Sequence, residues 1–347
     1  MEIGNNHLSI LQAFLPYAKK VTIEPIQGGL INATFKVQIQ DDHKREKYIL
    51  QQVNSEIFHI PKAIHSNISF VSSYLKAQNY PHPVLELCTT LEGESETVYD
   101  NGTWRLFKQI DSSYTINVVQ NSEQAFAVGA FFGQFYTYLN GIEVNQIQSV
   151  LPHFLDTKSR IDAFQLALET ASSERLKEAY EQVEWIVKHQ DLPQKWIRLQ
   201  EQKELPIRLI HADPKISNVL FDSVTHQPKA IIDWDTLMLG TILYDYGDMI
   251  RSYTNTKLED DPNPEGVFNA DIYHALTDGF LSESRSFLND LELKYLVYAP
   301  QVIVYIQALR FLTDYLNGDI YYHCNYPEQN LNRTKNQINL LQHILKI

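Results

Sequence analysis

His211-Ala212-Asp213-Pro214-Lys215-Ile216-Ser217-Asn218 is followed directly by Val219-Leu220-Phe221-Asp222, and Ala230-Ile231-Ile232-Asp233-Trp234-Asp235 comes after a polar turn. The apolar runs at 219–222 and 230–233 predict two short antiparallel strands. In such a hairpin, the beginning of the first strand lies beside the end of the second. The sequence therefore predicts that Asn218 and Asp233 come together at one end of the hairpin.

The loop before the hairpin carries the residue types that phosphoryl transfer needs. Asp213 can accept a hydrogen bond from an attacking hydroxyl and act as the base. Asn218 and Asp233 offer hard oxygen ligands for Mg²⁺ on a polyphosphate. Lys215 can reach the γ-phosphate, and His211 is expected to hydrogen-bond within the loop and order it. The pattern predicts a kinase site, and its weaker alternative is a surface turn rich in Asp and Asn.

The first third of the chain has the pattern of an antiparallel sheet. Short β-rich runs predict strands at 21–23, 33–39, 47–51, 96–99 and 104–107, and helical spacing predicts a helix over 61–77. After Ile110, helical spacing dominates, at 125–136, 160–176, 179–188 and 291–347. The sequence therefore predicts an α+β fold of two lobes. A β-rich N-terminal nucleotide-binding lobe covers 1–108, and an α-rich C-terminal catalytic and substrate lobe covers 109–347.

Candidate nucleotide-binding residues lie in the first lobe and at its boundary. Gly28-Gly29 either covers the ATP phosphates as a glycine-rich loop or forms an ordinary hairpin turn. Protein kinases hold the α- and β-phosphates with a strand lysine. The returning strand here offers Lys47, which can also be a solvated edge residue, or Gln51 and Gln52. The segment Gln109-Ile110-Asp111 is either a hinge that binds adenine, through Gln109 and Asp111, or a plain linker.

Acidic residues after the hairpin and one arginine farther along are further candidates. Asp245 is expected to hydrogen-bond the backbone of the 211–218 loop, and Asp248 is expected to cap a helix N-terminus. Arg310 lies in an apolar helical segment. It either forms an i, i+4 salt bridge with Asp314 or points into the cleft between the lobes.

Composition excludes several classes of function. A formal net charge of -13 over 347 residues argues against nucleic acid as the main partner, because phosphate backbones are bound by clustered Lys and Arg. The two cysteines lie far apart in the sequence, which predicts no disulfide framework and favours a reducing cytoplasm. Polar residues interrupt the longest apolar stretch, at 295–312, and no signal peptide is evident, so no membrane association is expected.

Several segments resemble the aminoglycoside phosphotransferase and choline kinase superfamily, and within it the N-acetylhexosamine 1-kinases. The similar segments are 29–34, 48–51, 151–157, 211–218, 232–236, 244–248 and 310–319. The resemblance implies a protein-kinase-like fold of two lobes, ATP and Mg²⁺ as cofactors, and a small-molecule substrate, most closely a sugar. By position it implies Asp213 as base, Asn218 and Asp233 as metal ligands, and Arg310 and Asp235 as substrate contacts.

The residues and the resemblance together predict an ATP-dependent kinase. The expected acceptor is the anomeric hydroxyl of an N-acetylhexosamine. One alternative is an aminoglycoside, choline or amino-alcohol kinase, because the acidic net charge suits a cationic acceptor. Another alternative is an inactive kinase-fold binding protein, because no strand lysine paired with a glutamate can be identified.

Overall fold

The structure is a computed structural model that describes residues 5–26, 31–41 and 44–347. In these residues the strands are β1 (Val21–Pro25), β2 (Ala33–Asp41), β3 (Lys44–Val53), β4 (Thr97–Tyr99), β5 (Gly102–Lys108), β6 (Ser113–Tyr114), β7 (Arg208–Ile210), β8 (Val219–Asp222), β9 (Pro228–Ile231) and β10 (Met238–Gly240). The α-helices are α1 (Asn5–Phe14), α2 (Pro61–Ala77), α3 (Ser122–Leu139), α4 (Thr157–Thr170), α5 (Ser173–Glu178), α6 (Tyr180–Lys188), α7 (Asp191–Glu201), α8 (Ile242–Tyr253), α9 (Ala270–Ser284), α10 (Asp290–Tyr295), α11 (Tyr298–Leu316) and α12 (Gln329–Ile344).

The first five strands form one antiparallel sheet in the order β1-β2-β3-β5-β4. The central strand β3 pairs with β2, where Val37 lies opposite Tyr48, and with β5, where Leu50 lies opposite Leu106. Successive side chains of a strand point to opposite faces, so these four share one face. That face packs with α1 in one apolar core cluster. The predicted N-terminal antiparallel sheet is confirmed.

Helix α2 has the bounds that its sequence pattern predicts. It begins at Pro61, at a position where the missing backbone N–H of proline leaves no helical hydrogen bond unmade. Its buried face carries Ile64, Ile68, Val71 and Leu75, at the helical spacing read from the sequence. Burial of this stripe holds the helix against the rest of its unit.

The 219–233 hairpin forms as predicted, with one difference at its end. β8 and β9 pair antiparallel, with Val219 opposite Ile231, and β6 joins them in a three-stranded sheet. The second strand was predicted to continue to Asp233 but ends at Ile231. Asp233 adopts the left-handed conformation, with φ 63° and ψ 55°, which no β-strand can include. A short 3-10 helix, Trp234–Thr236, follows it.

The chain divides into two compact units. The first unit comprises Met1–Thr115, Gly141–Pro152 and Val219–Met238, and the second comprises Ile116–Asn140, His153–Asn218 and Leu239–Ile347. The first unit contains the five-stranded sheet, α2 and the hairpin, and the second is largely helical. The functional lobes predicted at 1–108 and 109–347 stay a prediction.

Two helical predictions differ from the structure in detail. The helix predicted over 160–176 is split, because the Ser172 side chain accepts a hydrogen bond from the Arg175 N–H and so caps a new helix, α5. The predicted helical tail contains α10, α11 and α12, but the chain leaves the helical path between Leu316 and Gln329. Within the described residues, each helix is too short or too polar to span a bilayer.

Helices α3 and α9 of the second unit pack against each other through glycines. A Cβ atom on Gly129 would meet the Leu276 carbonyl oxygen at 2.4 Å, and one on Gly279 would meet the Phe126 carbonyl oxygen at 2.1 Å. Real Cβ atoms do not approach backbone this closely, so neither position has room for a side chain. The small residues of the predicted 125–136 helix therefore serve close packing, as the sequence indicated.

We expect Gly279→Ala to lower the free energy of unfolding by about 2 kcal/mol, because the new methyl group is overpacked against backbone. Alanine is otherwise the better helix former by about 1 kcal/mol, so a loss has to come from the contact. Chemical denaturation would measure it, with Asp278→Ala as the control at the adjacent, exposed position of the same helix. A gain in stability from Gly279→Ala would contradict the packing described here.

Candidate active site

The loop between β7 and β8 brings two predicted catalytic residues, Asp213 and Lys215, into contact with a predicted metal ligand, Asn218. The Asp213 carboxylate accepts a hydrogen bond from Asn218 Nδ2 at 3.0 Å, and it forms an ion pair with Lys215 Nζ at 2.8 Å. Asn218 Nδ2 also donates to the Asp213 carbonyl oxygen at 2.9 Å. These contacts fix the position of the Asp213 carboxylate in the loop.

A buried carboxylate on α8 holds the beginning of this loop. Asp245 accepts hydrogen bonds from the backbone N–H groups of His211, at 2.7 Å, and Ala212, at 3.0 Å, and from the Tyr136 hydroxyl. Burial raises the pKa of Asp245 to about 7, and the three donors act against that shift. Ala212 has φ 64°, a left-handed conformation that is unfavourable for residues with a side chain. The hydrogen bonds to Asp245 therefore hold a strained turn. The predicted role of Asp245 is confirmed.

His211 orders the loop through its ring. The side chain is fully buried, its Nδ1 accepts a hydrogen bond from the Asp213 backbone N–H at 3.3 Å, and its ring packs edge-on against Phe132. The predicted ordering contact is therefore present, and a direct part in the chemistry stays a prediction. Tyr253 adds a second anchor, because its hydroxyl donates to the Pro214 carbonyl oxygen at 2.7 Å.

The prediction for Asp248 is wrong. The N-cap of α8 is Thr241, whose side chain accepts from the Leu243 N–H, and Asp248 lies in the body of the helix. Its carboxylate pairs with Arg251 Nε at 2.6 Å, and Arg251 Nη1 pairs with Glu259 at 2.9 Å. Asp favours N-caps over helix interiors, and here the ion pair with Arg251 accompanies its place in the body of the helix.

Asp233 and Asp235 lie on the turn that follows β9 in the first unit. Asp233 is exposed in its left-handed conformation. Asp235 is buried and pairs with Arg105 through both carboxylate oxygens, at 2.7 and 2.8 Å, while Asn32 Nδ2 donates to it at 2.7 Å. These contacts occupy the Asp235 carboxylate within the protein, and the predicted substrate contact of Asp235 stays a prediction.

Arg105 is the residue that the sequence interpretation missed. It lies on β5 opposite Gln51 of β3, and its Nε and Nη2 atoms donate to Gln51 Oε1 at 3.0 and 2.8 Å. An arginine inside the apolar run Trp104–Phe107 was the available signal, because a buried charge needs a partner. Lys47, the lysine considered for phosphate binding, instead pairs with Asp111 at 2.7 Å, at a partly exposed site.

The backbone of the predicted hinge makes hydrogen bonds to a strand residue and to a lysine side chain. The Gln109 N–H donates to the Lys47 carbonyl oxygen at 3.1 Å, which extends the pairing beyond β5. Lys229 Nζ donates to the carbonyl oxygens of Asp111, at 2.9 Å, and Ser112, at 3.3 Å. Nucleotide binding by Gln109 and Asp111 stays a prediction. The candidate glycine loop, Gly28-Gly29, lies outside the described residues.

Arg310 lies on α11 of the second unit among aromatic rings. Its guanidinium lies 5.6 to 6.0 Å from three ring centres, those of Phe154, Tyr321 and Tyr322. Its Nη1 atom donates to Gln307 Oε1 at 3.2 Å. Burial disfavours its charge, but the phenols of Tyr322, Tyr244 and Tyr321 outweigh that effect and raise the pKa of Arg310.

The i, i+4 salt bridge considered for Arg310 and Asp314 does not describe this helix. The Asp314 carboxylate accepts hydrogen bonds from the backbone N–H groups of Ile320, Tyr321 and Tyr322, at 2.7 to 3.0 Å. It therefore holds the loop after α11, which carries two of the rings around Arg310.

Two of the predicted ligands fit a magnesium ion by the chemistry of their donor atoms. Asn218 commits its side-chain nitrogen to Asp213, which leaves the carboxamide oxygen as the atom for a cation. Asp233 supplies an exposed carboxylate. Mg²⁺ prefers such oxygen ligands and usually retains several waters, so few protein ligands suffice. Metal binding by these residues stays a prediction.

The sequence matches a protein family described as "Phosphotransferase enzyme family" over residues 22–271. Among solved structures, a microcompartment-associated aminopropanol kinase is similar with a TM-score of 0.68 and 17% identity, covering 98% of this chain and 98% of that chain. A spectinomycin phosphotransferase in complex with ADP and spectinomycin is similar with a TM-score of 0.62 and 15% identity, covering 99% of this chain and 98% of that chain. An ethanolamine kinase from Plasmodium vivax is similar with a TM-score of 0.53 and 16% identity, covering 92% of this chain and 82% of that chain. These similarities confirm the kinase-like fold.

We expect Asp245→Asn to reduce turnover at least about tenfold and to lower the free energy of unfolding by about 2 kcal/mol, because a side-chain amide places N–H donors against backbone N–H donors. Steady-state rates and chemical denaturation would measure the two effects. Asp278→Asn, which removes an exposed carboxylate from the neighbouring helix α9, is the matched control and is expected to change neither. Wild-type stability and turnover in Asp245→Asn would show that this carboxylate does not hold the loop.

Proposed function

Because the chain belongs to the phosphotransferase enzyme family as a small-molecule kinase, we propose that Asp213 is the base when it transfers the γ-phosphoryl group of ATP to a hydroxyl group. The contact that carries this proposal is the Asp213 carboxylate held between Lys215 and Asn218, at 2.8 and 3.0 Å. The spectinomycin phosphotransferase bound to ADP supports ATP as the donor.

The residues of the loop have separate tasks in this proposal. Asp213 orients the acceptor hydroxyl and takes its proton as the phosphorus–oxygen bond forms. Lys215 places positive charge beside the transferring group, and Asp245 and His211 keep the loop in one conformation. Asn218 and Asp233 would hold Mg²⁺, which when bound neutralises charge on the phosphate oxygens. The register of β8 and β9 supports this choice of ligands, because one precedes β8 and the other follows β9.

The comparisons favour an amino compound as the acceptor over the sugar that the sequence resemblance implied. The aminopropanol, ethanolamine and spectinomycin kinases are named for acceptors that carry amino groups. Their identities to this chain are 15 to 17%, a level at which a shared fold does not fix the substrate. We therefore place an amino alcohol or aminoglycoside first among the acceptors to be tested.

One observation favours a neutral acceptor instead. Arg310, proposed here as a substrate contact, is a half-buried cation surrounded by phenol and phenyl rings and a carboxamide. A second cation placed beside it would be repelled, whereas hydroxyl or carbonyl oxygens would accept its N–H groups. An N-acetylhexosamine offers such oxygens and is the second candidate. The two candidates differ in charge and can be separated by a direct assay.

We expect Asp213→Asn to lower kcat by at least about 100-fold, because the amide cannot accept the proton of the acceptor hydroxyl. Its affinity for ADP and its melting temperature should stay close to those of the wild type. Rates in a coupled ADP assay and calorimetric binding would separate these effects, with Asp162→Asn on the exposed face of α4 as the charge control. Wild-type turnover by Asp213→Asn would rule out this residue as the base.

We expect ATP consumption in the presence of Mg²⁺ with one class of acceptor in a panel of aminopropanol, ethanolamine, spectinomycin, kanamycin-type aminoglycosides, N-acetylglucosamine and N-acetylgalactosamine. Arg310→Gln should raise KM for a neutral acceptor by about tenfold through the loss of a charged hydrogen bond. The same substitution should leave KM unchanged or lower it for a cationic acceptor, because repulsion is removed. Turnover with no hydroxyl compound of the panel would count against the proposed acceptors.

A further inference from the structure

We propose that Arg105 is a positioning residue that fixes the turn carrying Asp233 through its buried pair with Asp235. The proposal rests on the proposed function, in which Asp233 is a metal ligand. Every residue on which it depends lies in the first unit. It assigns Asp235 a role inside the protein in place of a contact with substrate.

The pair is almost completely shielded from water. The side chains of Arg105 and Asp235 are 2% and 3% exposed, and the two groups meet through both carboxylate oxygens, at 2.7 and 2.8 Å. Removing two charges from water costs about as much free energy as their attraction returns, so such pairs are weak sources of stability. A buried ion pair does, however, fix the direction of both side chains, because Nη2 donates a hydrogen bond to one carboxylate oxygen while Nη1 lies close to the other.

The turn that follows β9 needs such a constraint. Asp233 adopts φ 63° and ψ 55°, a left-handed conformation that is unfavourable for a residue with a side chain. Trp234 and Asp235 come next and are buried, at 1% and 2% exposure. With Asp235 fixed and Trp234 packed in the interior, the backbone between them and Asp233 has little freedom, and the Asp233 carboxylate remains exposed.

The guanidinium is itself held from two sides. Gln51 on the neighbouring strand accepts hydrogen bonds from Nε and Nη2, at 3.0 and 2.8 Å, and the Phe107 ring lies 5.0 Å from the guanidinium carbon. His65 on α2 is buried nearby, and burial, together with the charge of Arg105, lowers its pKa to about 3. His65 is therefore neutral at physiological pH and does not compete with Arg105 for the carboxylate.

Asn32 connects the same carboxylate to the segment that follows Gly28-Gly29. Its Nδ2 donates to Asp235 at 2.7 Å, and its Oδ1 accepts from the Asn54 backbone N–H at 3.0 Å. Asn32 thus joins the residue after β3 to the Asp235 carboxylate on the turn after β9.

A direct contact between Arg105 and a phosphate is the alternative, and the geometry disfavours it. Three of its nitrogen atoms are committed to Gln51 and Asp235, and the residue is 1% exposed. A phosphate could reach it only after the ion pair opened and a buried carboxylate lost its partner, which is strongly unfavourable.

The test compares ADP binding by calorimetry with and without Mg²⁺ for Arg105→Gln, Asp235→Asn and the double variant Arg105→Leu with Asp235→Leu. We expect the gain in ADP affinity that Mg²⁺ provides to fall at least about tenfold in all three, as for other residues that orient a metal ligand. ADP affinity without Mg²⁺ should stay within about threefold of the wild type, because the phosphates are not touched. The double variant should regain the melting temperature lost by the single variants, but not the effect of Mg²⁺.

Glu292→Gln is the matched control, because Glu292 forms a buried bidentate pair with Arg208 in the second unit, at 2.7 Å through both oxygens. Glu292→Gln should lower the melting temperature and keep the full gain in ADP affinity that Mg²⁺ provides. If the single variants do not fold, Asn32→Ala, which leaves the ion pair intact, should show a partial loss of the Mg²⁺ effect.

Three outcomes would overturn the proposal. In the first, the variants lose only stability and keep the Mg²⁺ effect, which would make the pair purely structural. In the second, ADP affinity falls equally with and without Mg²⁺, which would indicate a direct phosphate contact. In the third, the double variant recovers both stability and the Mg²⁺ effect. If Mg²⁺ does not change the ADP affinity of the wild type, the metal site of the proposed function is refuted instead. This measurement on the wild type comes before any variant.

Discussion

The second unit depends on one buried carboxylate. Asp245 accepts the first two backbone N–H groups of the 211–218 loop and a tyrosine hydroxyl from α3, so a helix, a loop and a second helix meet at its two oxygens. Both N–H groups follow directly after β7, which ends at Ile210, and the Asp245 carboxylate satisfies them in a buried place. The strained conformation of Ala212 and the position of Asp213 both follow from this anchor.

The first unit also contains a buried carboxylate that holds a turn. Asp235, two residues after Asp233, binds Arg105 and Asn32 and so holds the left-handed turn at Asp233, the exposed residue that is proposed to bind the metal. In each unit a shielded acid holds backbone in a conformation that local propensity alone would not maintain. The two carboxylates proposed for chemistry, Asp213 and Asp233, are half-exposed and exposed neighbours of these acids. Burial thus separates the carboxylates that build the site from those that can meet a ligand.

Arg310, the proposed acceptor contact, has surroundings that are built separately from the predicted catalytic loop. Asp314 holds the backbone at 320–322, and Arg175 holds the same loop through Asp319 at 2.7 Å. The rings around the guanidinium therefore come from a loop fixed by its own hydrogen bonds. Changes in that loop can change the charge and shape presented to an acceptor while Asp213 and its partners stay in place.

The sequence by itself determined the antiparallel sheet, helix α2 and the hairpin after Asn218, and it indicated a small-molecule kinase with 211–218 as the predicted catalytic loop. Those features are local, since strand alternation, helical spacing and turn residues act over a few neighbouring positions. The tertiary structure alone decided that Arg105 pairs with Asp235, 130 residues away, and that Asp314 binds the loop after α11 instead of Arg310. A charged side chain chooses its partner by what the fold brings within hydrogen-bond distance and shields from water, and neither quantity is encoded by spacing along the chain.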